Sequence, residues 1–305
     1  MESQEQLAAV ARMQKMIAEN LSQPISMSML AATAGYSPWH SSRLFTEITG
    51  KTPFEYIRSF RLSQAAQRLW DSEIKVIDVA FDFVFDTHEG FTRAFSREFG
   101  MSPQQYRKNP TPIRLFFPPN VHDHHRIMQG GFHKMPDSIP VKTVFSQVVE
   151  RTPRKLIVKW GVNATHYYEY CQEVGCDIWG ILTSIRGALH EPVGLWFPDS
   201  IRPVGGSRYA QGVEMPSDYT GPIPDGFDLI DLPPCKLMVF QGEVYDDSEF
   251  ETAILEVQRA IEKYNPETYG FRWADEDGPR IQLAPMGYRG YIEARPVRSL
   301  KGPLG

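Results

Sequence analysis

Residues 85–100 read FDTHEGFTRAFSREFG, and residues 36–50 read YSPWHSSRLFTEITG. The two stretches carry one pattern. At an offset of 50, Arg43 matches Arg93, Phe45 matches Phe95, Gly50 matches Gly100, Pro53 matches Pro103 and Tyr56 matches Tyr106. Upstream, an offset of 49 pairs Ala31 with Ala80, Tyr36 with Phe85 and Ser37 with Asp86, so one residue is inserted after the turn.

Outward from these stretches, the first 108 residues read as short helices in close succession. Leu7, Val10, Met13, Ile17 and Leu21 recur at helical spacing. Pro24 interrupts the chain, and Ser26 or Ser28 can cap the helix that follows. Gly35 is suited to end that helix, and Pro38 suits the first turn of the next, which runs to Thr49 and Gly50. Two short helices about a glycine-containing turn are helix–turn–helix grammar, and here it occurs twice. Between the copies, PFEYIRSFRLSQAAQRLW sets Phe54, Ile57, Leu62, Ala65 and Leu69 on one face of a helix that would join the units at a fixed separation.

On the second helix of each unit, Phe45 and Ile48, and Phe91, Phe95 and Phe99, form the inward stripe. Trp39, Ser42, Arg43 and Thr46 share one outer face in the first unit. Glu89, Thr92, Arg93 and Ser96, flanked by His88, share the matching face in the second. Two such helices can enter successive major grooves of double-stranded DNA if they stand one turn apart, roughly 34 Å. Outward arginines at one place in both units suit guanine or phosphate. Glu89 has two readings: a carboxylate favoured at a helix start, or an acceptor for a cytosine amino group.

Bulk properties agree with two domains. Apolar residues make up 42% of the chain and charged residues 23%. No apolar run reaches bilayer length, and the first residues do not resemble a signal peptide. Cys171, Cys176 and Cys235 have no metal-site spacing and fit a reducing, cytoplasmic setting. The net charge of −5 is unevenly placed: residues 1–110 hold 12 basic and 12 acidic side chains, whereas residues 151–305 hold 16 and 22. A DNA-binding reading of the first half must therefore rest on where its charges point.

Residues 109–140 are rich in Pro and Gly, lack periodicity and read as a linker. They hold His122, His124, His125 and His133, without the spacing of a structural metal site. From about Val141 strands begin. The run KLIVKWGV, a helix over THYYEYCQEVGCDIWGILTSI, and the strands EPVGLWFP and SRYAQGVEMP are followed by the same order of elements. At an offset of 81, Lys155, Leu156, Val158 and Gly161 match Lys236, Leu237, Val239 and Gly242, and Val213-Glu214 aligns with Ile292-Glu293. The expectation is a βαββ unit used twice in an α+β domain over residues 141–305. Tyr167, Tyr168, Trp179, Trp196, Tyr209, Trp273 and Tyr288 are many large rings for one small domain, suited either to core packing or to a pocket wall. No nucleophile elbow, zincin helix, phosphate loop or dinucleotide fingerprint occurs, and no cofactor or enzymatic activity is expected.

GYSPWHSSRLFTEITGKTPFEYIR, RLSQAAQRL and FDFVFDTHEGFTRAFSREFGMSPQQYR resemble the DNA-binding domain of AraC/XylS-family transcription regulators over roughly residues 5–108. The resemblance implies that Trp39, Ser42 and Arg43 meet one groove and His88, Glu89, Thr92 and Arg93 the next. It also marks a departure. The usual glycine of the second turn is Val84, which is expected to resist a left-handed conformation. The second half, through GVEMP and YIEARPVR, resembles GyrI-like effector-binding domains. That resemblance implies a site for a small aromatic or amphiphilic effector, with Tyr167, Tyr168, Trp196, Tyr209, Glu214, Trp273, Tyr288 and Glu293 as candidate ligand contacts. The partners implied are promoter or operator DNA, the effector and, at a promoter, RNA polymerase, with no membrane. Two alternatives stay open for the second half: a GyrI-like hydrolase using Glu214 or Glu293 beside tyrosines, or a sequestering binder of toxic compounds.

Overall fold

Leu7, Val10, Met13 and Ile17 all turn inward on α1 (Gln4–Glu19), as their spacing requires. The computed structural model describes residues 4–118 apart from residue 72, Val121, and residues 143–300. The four linker histidines lie outside the described residues. The chain divides into two units, residues 1–130 and 131–305.

In the first unit, Ser26 caps α2 (Met27–Ala34), and Gly35 ends it in the left-handed region at φ 78°. Ser37 caps α3 (Pro38–Thr49), whose first residue is the proline and whose end is a left-handed Gly50. A Thr52–Glu55 capping box opens α4 (Pro53–Arg68). The grammar then repeats through α5 (Val76–Asp82), α6 (His88–Phe99) and α7 (Pro103–Lys108), with Thr87 capping α6 and a Ser102–Gln105 box opening α7.

Helix α4, about 24 Å long, is shared between two cores. Its early residues Tyr56 and Ile57 pack with Val10, Leu44 and Phe45. Its later residues Leu62, Ala65 and Ala66 pack with Val79, Phe91 and Phe95. Phe54 departs from the expected stripe and is 52% exposed, while Pro53, Tyr56 and Ile57 around it are buried. Polar ties fix α4 in place: Arg61 donates to Leu21 O and Gln23 O at 2.9 and 2.7 Å. Residues 109–118, expected to begin the linker, also pack here. Ile113 and Leu115 are buried in the second core, and Phe116 N donates to Ser63 Oγ at 2.7 Å.

The second turn overturns one expectation. Val84 takes φ 61°, the single positive φ outside glycine among the described residues. Both turns close alike: Tyr36 N donates to Ala31 O at 3.2 Å, and Phe85 N donates to Ala80 O at 3.0 Å. Phe85 must return to stack edge-on against buried Phe91, 5.1 Å between centroids. That packing holds a β-branched residue where its Cβ is strained.

Among the described residues, the second unit is built on one antiparallel sheet of nine strands in the order β1-β6-β9-β8-β3-β4-β2-β5, with β7 also paired to β9. One run comprises β2 (Arg154–Trp160), α8 (Tyr167–Val174), α9 (Ile178–Thr183), β3 (Val193–Trp196) and β4 (Tyr209–Pro216). The other comprises β6 (Cys235–Gln241), α10 (Phe250–Lys263), β7 (Phe271–Trp273), β8 (Arg280–Leu283) and β9 (Ile292–Ser299). The single helix expected over residues 165–185 is two, broken where Gly175 takes φ 99°. The strand ahead of each run crosses to the other: β1 (Phe145–Arg151) pairs with β6, and β5 (Asp228–Leu232) pairs with β2. Strands β3 and β8 join the runs at the centre.

Strand alternation sorts side chains onto two faces. One carries Ile157, Tyr209, Val213 and Met215 beneath α8 and α9. The other carries Leu156, Val158, Leu195, Leu237, Ile281 and Ala294 in a common core. On that second face the sheet curls until the starts of β2 and β6 meet. Arg154 reaches Pro233 O at 3.0 Å and Cys235 Sγ at 3.7 Å, although β2 and β6 are far apart in strand order.

Candidate nucleic-acid interface and ligand face

On α3 the capped, proline-led start fixes which side chains turn outward. Trp39 is 70% exposed, which no core role explains. The Arg43 guanidinium lies 5.7 Å from the Trp39 ring centroid, and its Nε donates to Glu47 at 2.7 Å. Trp39, Arg43 and Glu47 thus form one exposed ladder. Ser42 is half-buried beside it, and the Thr46 hydroxyl donates back to Ser42 O at 2.8 Å, so that hydroxyl is already used within the helix.

Helix α6 repeats the placement with different chemistry. Arg93 is exposed and His88 half-buried. Glu89 is exposed in the first turn, but the cap is supplied by Thr87, which accepts from Gly90 N at 3.0 Å. Thr92 faces less outward than its spacing suggests. Its hydroxyl is buried and has no hydrogen-bond partner among the described residues.

In the second unit, register brings some of the expected ligand residues together. Across β4, β3, β8 and β9, one row reads Gln211, Gly194, Gln282, Glu293. Beside it Tyr209, Trp196 and Arg280 are opposed across β4, β3 and β8. Trp196 meets Tyr209 edge-on at 5.1 Å, and Tyr209 meets Tyr170 of α8 at 5.6 Å. Glycine is required at position 194, because a Cβ there would overlap the Tyr209 hydroxyl. Glu293 is fully buried. It accepts from Arg280 Nε and, at 3.0 Å, from the Tyr291 hydroxyl. The Arg280 guanidinium also lies over the Trp196 ring, 5.4 Å from its centroid. Burial raises the hydroxyls of Tyr170, Tyr209 and Tyr291 well above the usual tyrosine range, and the Glu293 charge adds to this at Tyr291. All three are therefore neutral donors near pH 7.

Glu214 is placed elsewhere. The pairing of Leu156 with Glu214 and of Leu237 with Pro296 makes Pro296, not Glu293, the register counterpart of Glu214. The counterpart of Glu293 is Gln211, so the alignment of Glu214 with Glu293 is three residues out. An odd slip reverses the face. Glu214 lies on the face away from Glu293, where Arg154 Nε donates to it at 2.5 Å and Arg151 approaches at 3.6 Å. His190, 3.9 Å away, has its pKa lowered, chiefly by burial. Glu214 clamps the curled ends of the sheet rather than facing the tyrosines.

The other rings divide. Trp273 lies beside Phe240, the register partner of Glu293, at 6.2 Å, and the guanidinium of Arg295 covers it at 4.3 Å. Tyr168 is buried and Tyr167 half-buried on α8, their centroids 5.6 Å apart. Tyr288 is 74% exposed on the turn before β9. Sequence reading missed Arg280, Gln211 and Tyr291. Arg280 carries no signal of its own, since only strand pairing sets it opposite Trp196. Tyr291 was findable, two residues before Glu293 and so on the same strand face.

Against known proteins, a family model described as a helix-turn-helix domain matches residues 30–109. The chain is 42% identical over 91 residues to the Right origin-binding protein of Escherichia coli (strain K12), covering 30% of this chain and 32% of that protein. It spans about a third of the length of that relative. It is 38% identical over 91 residues to the regulatory protein SoxS of Salmonella typhimurium, covering 30% of this chain and 85% of that one. The HTH-type transcriptional activator AarP of Providencia stuartii is 37% identical over 92 residues, with coverage of 30% and 68%. Among solved structures, the DNA-binding domain of AdpA in complex with a target DNA matches 33% of this chain and 90% of that one at 29% identity, with a TM-score of 0.32. Through its two helix–turn–helix units, the chain belongs to the AraC family of transcription regulators.

Proposed function

We propose that the chain is a sequence-specific DNA-binding transcription regulator whose second unit, a GyrI-like domain, takes a small aromatic or amphiphilic effector. The observation that carries the DNA reading is the exposed Trp39–Arg43 ladder on a capped helix, repeated in position by Arg93 on α6. Trp39, Ser42, Arg43 and Thr46 form the first reading surface, and His88, Glu89 and Arg93 the second. Thr92 joins it only if its hydroxyl turns outward. Two units in one chain let a monomer address two successive major grooves.

The effector reading rests on Trp196, Tyr209, Arg280 and Glu293, which converge on the helix-covered sheet face. Matched strand spacing and the mirrored crossing of β1 and β5 support an internal duplication of a βαββ unit. Coupling requires that the effector bind two arrangements of the chain unequally. At a promoter, RNA polymerase is the further partner such a regulator would meet.

Selection of binding sites from random duplex DNA by the whole chain tests the first claim. One enriched motif of two half-sites, lost in Arg43→Ala, is expected. Enrichment of no motif would leave only charge-driven binding and defeat it. A change in operator affinity at fixed salt on adding a ligand of the second unit tests the coupling.

A further inference from the structure

We propose that Arg280 is the ligand-recognising group of the sheet face, and that the small molecule taken there is an aromatic anion rather than a cation. This rests on reading that face as an effector site.

Rings around a buried carboxylate would ordinarily favour a cation. Here the chain supplies that cation itself. The Arg280 guanidinium occupies the position over Trp196 and neutralises Glu293. The Tyr291 hydroxyl satisfies the other carboxylate oxygen. A cationic ligand would have to evict the guanidinium from the ring and the carboxylate together, leaving an arginine to be resolvated. An anion need evict nothing.

Arg280 has donors left for it. Only Nε is given to Glu293, and Arg280 makes no further hydrogen bond among the described residues. Its side chain is 32% exposed. A guanidinium carries five N–H donors in a planar fork, and its two terminal nitrogens match a carboxylate. A ring attached to that carboxylate can lie against Trp196 and the guanidinium plane.

A second polar group is available at the far side of the face. Gln211 is buried, its side chain bonds the Tyr209 hydroxyl, and its Oε1 has no hydrogen-bond partner among the described residues. It stands two strands from Arg280 and one row along, about 12 Å between backbones. A donor at the other end of the ligand would satisfy it. The ligand class is therefore an aromatic carboxylate, best with a hydroxyl or N–H opposite its acid group. Glu293, which does not touch the ligand, positions Arg280.

The test uses the full-length chain and an isosteric pair, 2-naphthylacetate and 2-(2-naphthyl)ethylammonium, followed by calorimetric titration. The carboxylate should bind at least on the order of tenfold tighter than the ammonium. Arg280→Gln should reverse that order, because Glu293 is then unpaired. The double variant Arg280→Met/Glu293→Gln leaves no unpaired buried charge and keeps the measurement available if the single variant fails to fold. It should bind the two probes with less than about threefold difference. If the ammonium binds wild type more tightly and Trp196→Ala abolishes that binding, the charge assignment is wrong while the effector face stands. If neither probe binds, or binding ignores both Arg280 and Trp196, the proposal and the effector reading fall together.

Discussion

The two helix–turn–helix units share a backbone and differ in what they present. Each has a serine or threonine cap on its second helix, a left-handed turn, and a left-handed glycine at the end. The first turn uses Gly35, where φ 78° is unstrained, whereas the second forces Val84 to φ 61°. The first outer face is an aromatic ring and an arginine held in order by Glu47. The second offers an exposed carboxylate, a half-buried histidine and an arginine. Shared packing thus reproduces the scaffold even where local preference opposes it, while the surface is free to diverge. On the proposed DNA reading the first unit is the stronger head, and the second is held in shape at a local cost.

The largest effect that could break this ranking is on operator affinity. Arg43→Ala should weaken specific binding by about 1–3 kcal/mol, and Arg93→Ala by less. Paired gel-shift titrations at one salt concentration decide it, and a larger loss from Arg93→Ala would invert the order of the two heads.

The strained turn comes next. Val84→Gly removes a left-handed penalty of roughly 1–2 kcal/mol and adds unfolded-state entropy worth roughly 0.5–1. A net stabilisation of about 0.5–1 kcal/mol should appear as a higher melting temperature of the helical unit. Gly35→Val should move the first unit the other way. An unchanged or lowered melting temperature for Val84→Gly would mean that the valine side chain contributes more by packing than its backbone loses.

Glu89→Gln removes a carboxylate facing phosphates. If the carboxylate serves only the helix start, affinity should rise about threefold, roughly 0.6 kcal/mol, for all sequences alike. If it reads a cytosine amino group, discrimination at one base pair should fall instead, and binding-site selection on the variant separates the two.

The smallest effect concerns Thr92. Its buried, unpartnered hydroxyl makes Thr92→Val neutral or stabilising by about 0.5 kcal/mol, with operator affinity unchanged. A loss of affinity beyond threefold would show that the hydroxyl turns outward on DNA.

The helical unit was legible because its signals are local. Caps, first-turn prolines, terminal glycines and a 3.6-residue stripe lie within a few residues of what they specify. The buried stripes of α1 and α6 and the second helix of each unit follow from them, as does the repeat itself. Thr92 was misread because helical spacing defines a stripe but not how far neighbouring elements cover its edge. Residues 113–116 read as linker because three apolar residues without a period reveal nothing about the cores that bury them.

The sheet unit was legible in order and not in register. An alignment by residue likeness set Glu214 against Glu293, but strand pairing displaces it by three, and an odd displacement puts a side chain on the opposite face. The sequence by itself determined the helices of the first unit, where they start and stop, and that their pattern is used twice, because those choices are made by neighbours along the chain. Only the tertiary structure decided that Val84 bends left-handed, that Glu214 clamps the curled sheet with Arg154, and that Arg280 stands between Trp196 and Glu293. The last two depend on partners remote in sequence, brought together by strand pairing, and the first on the packing of Phe85 against Phe91.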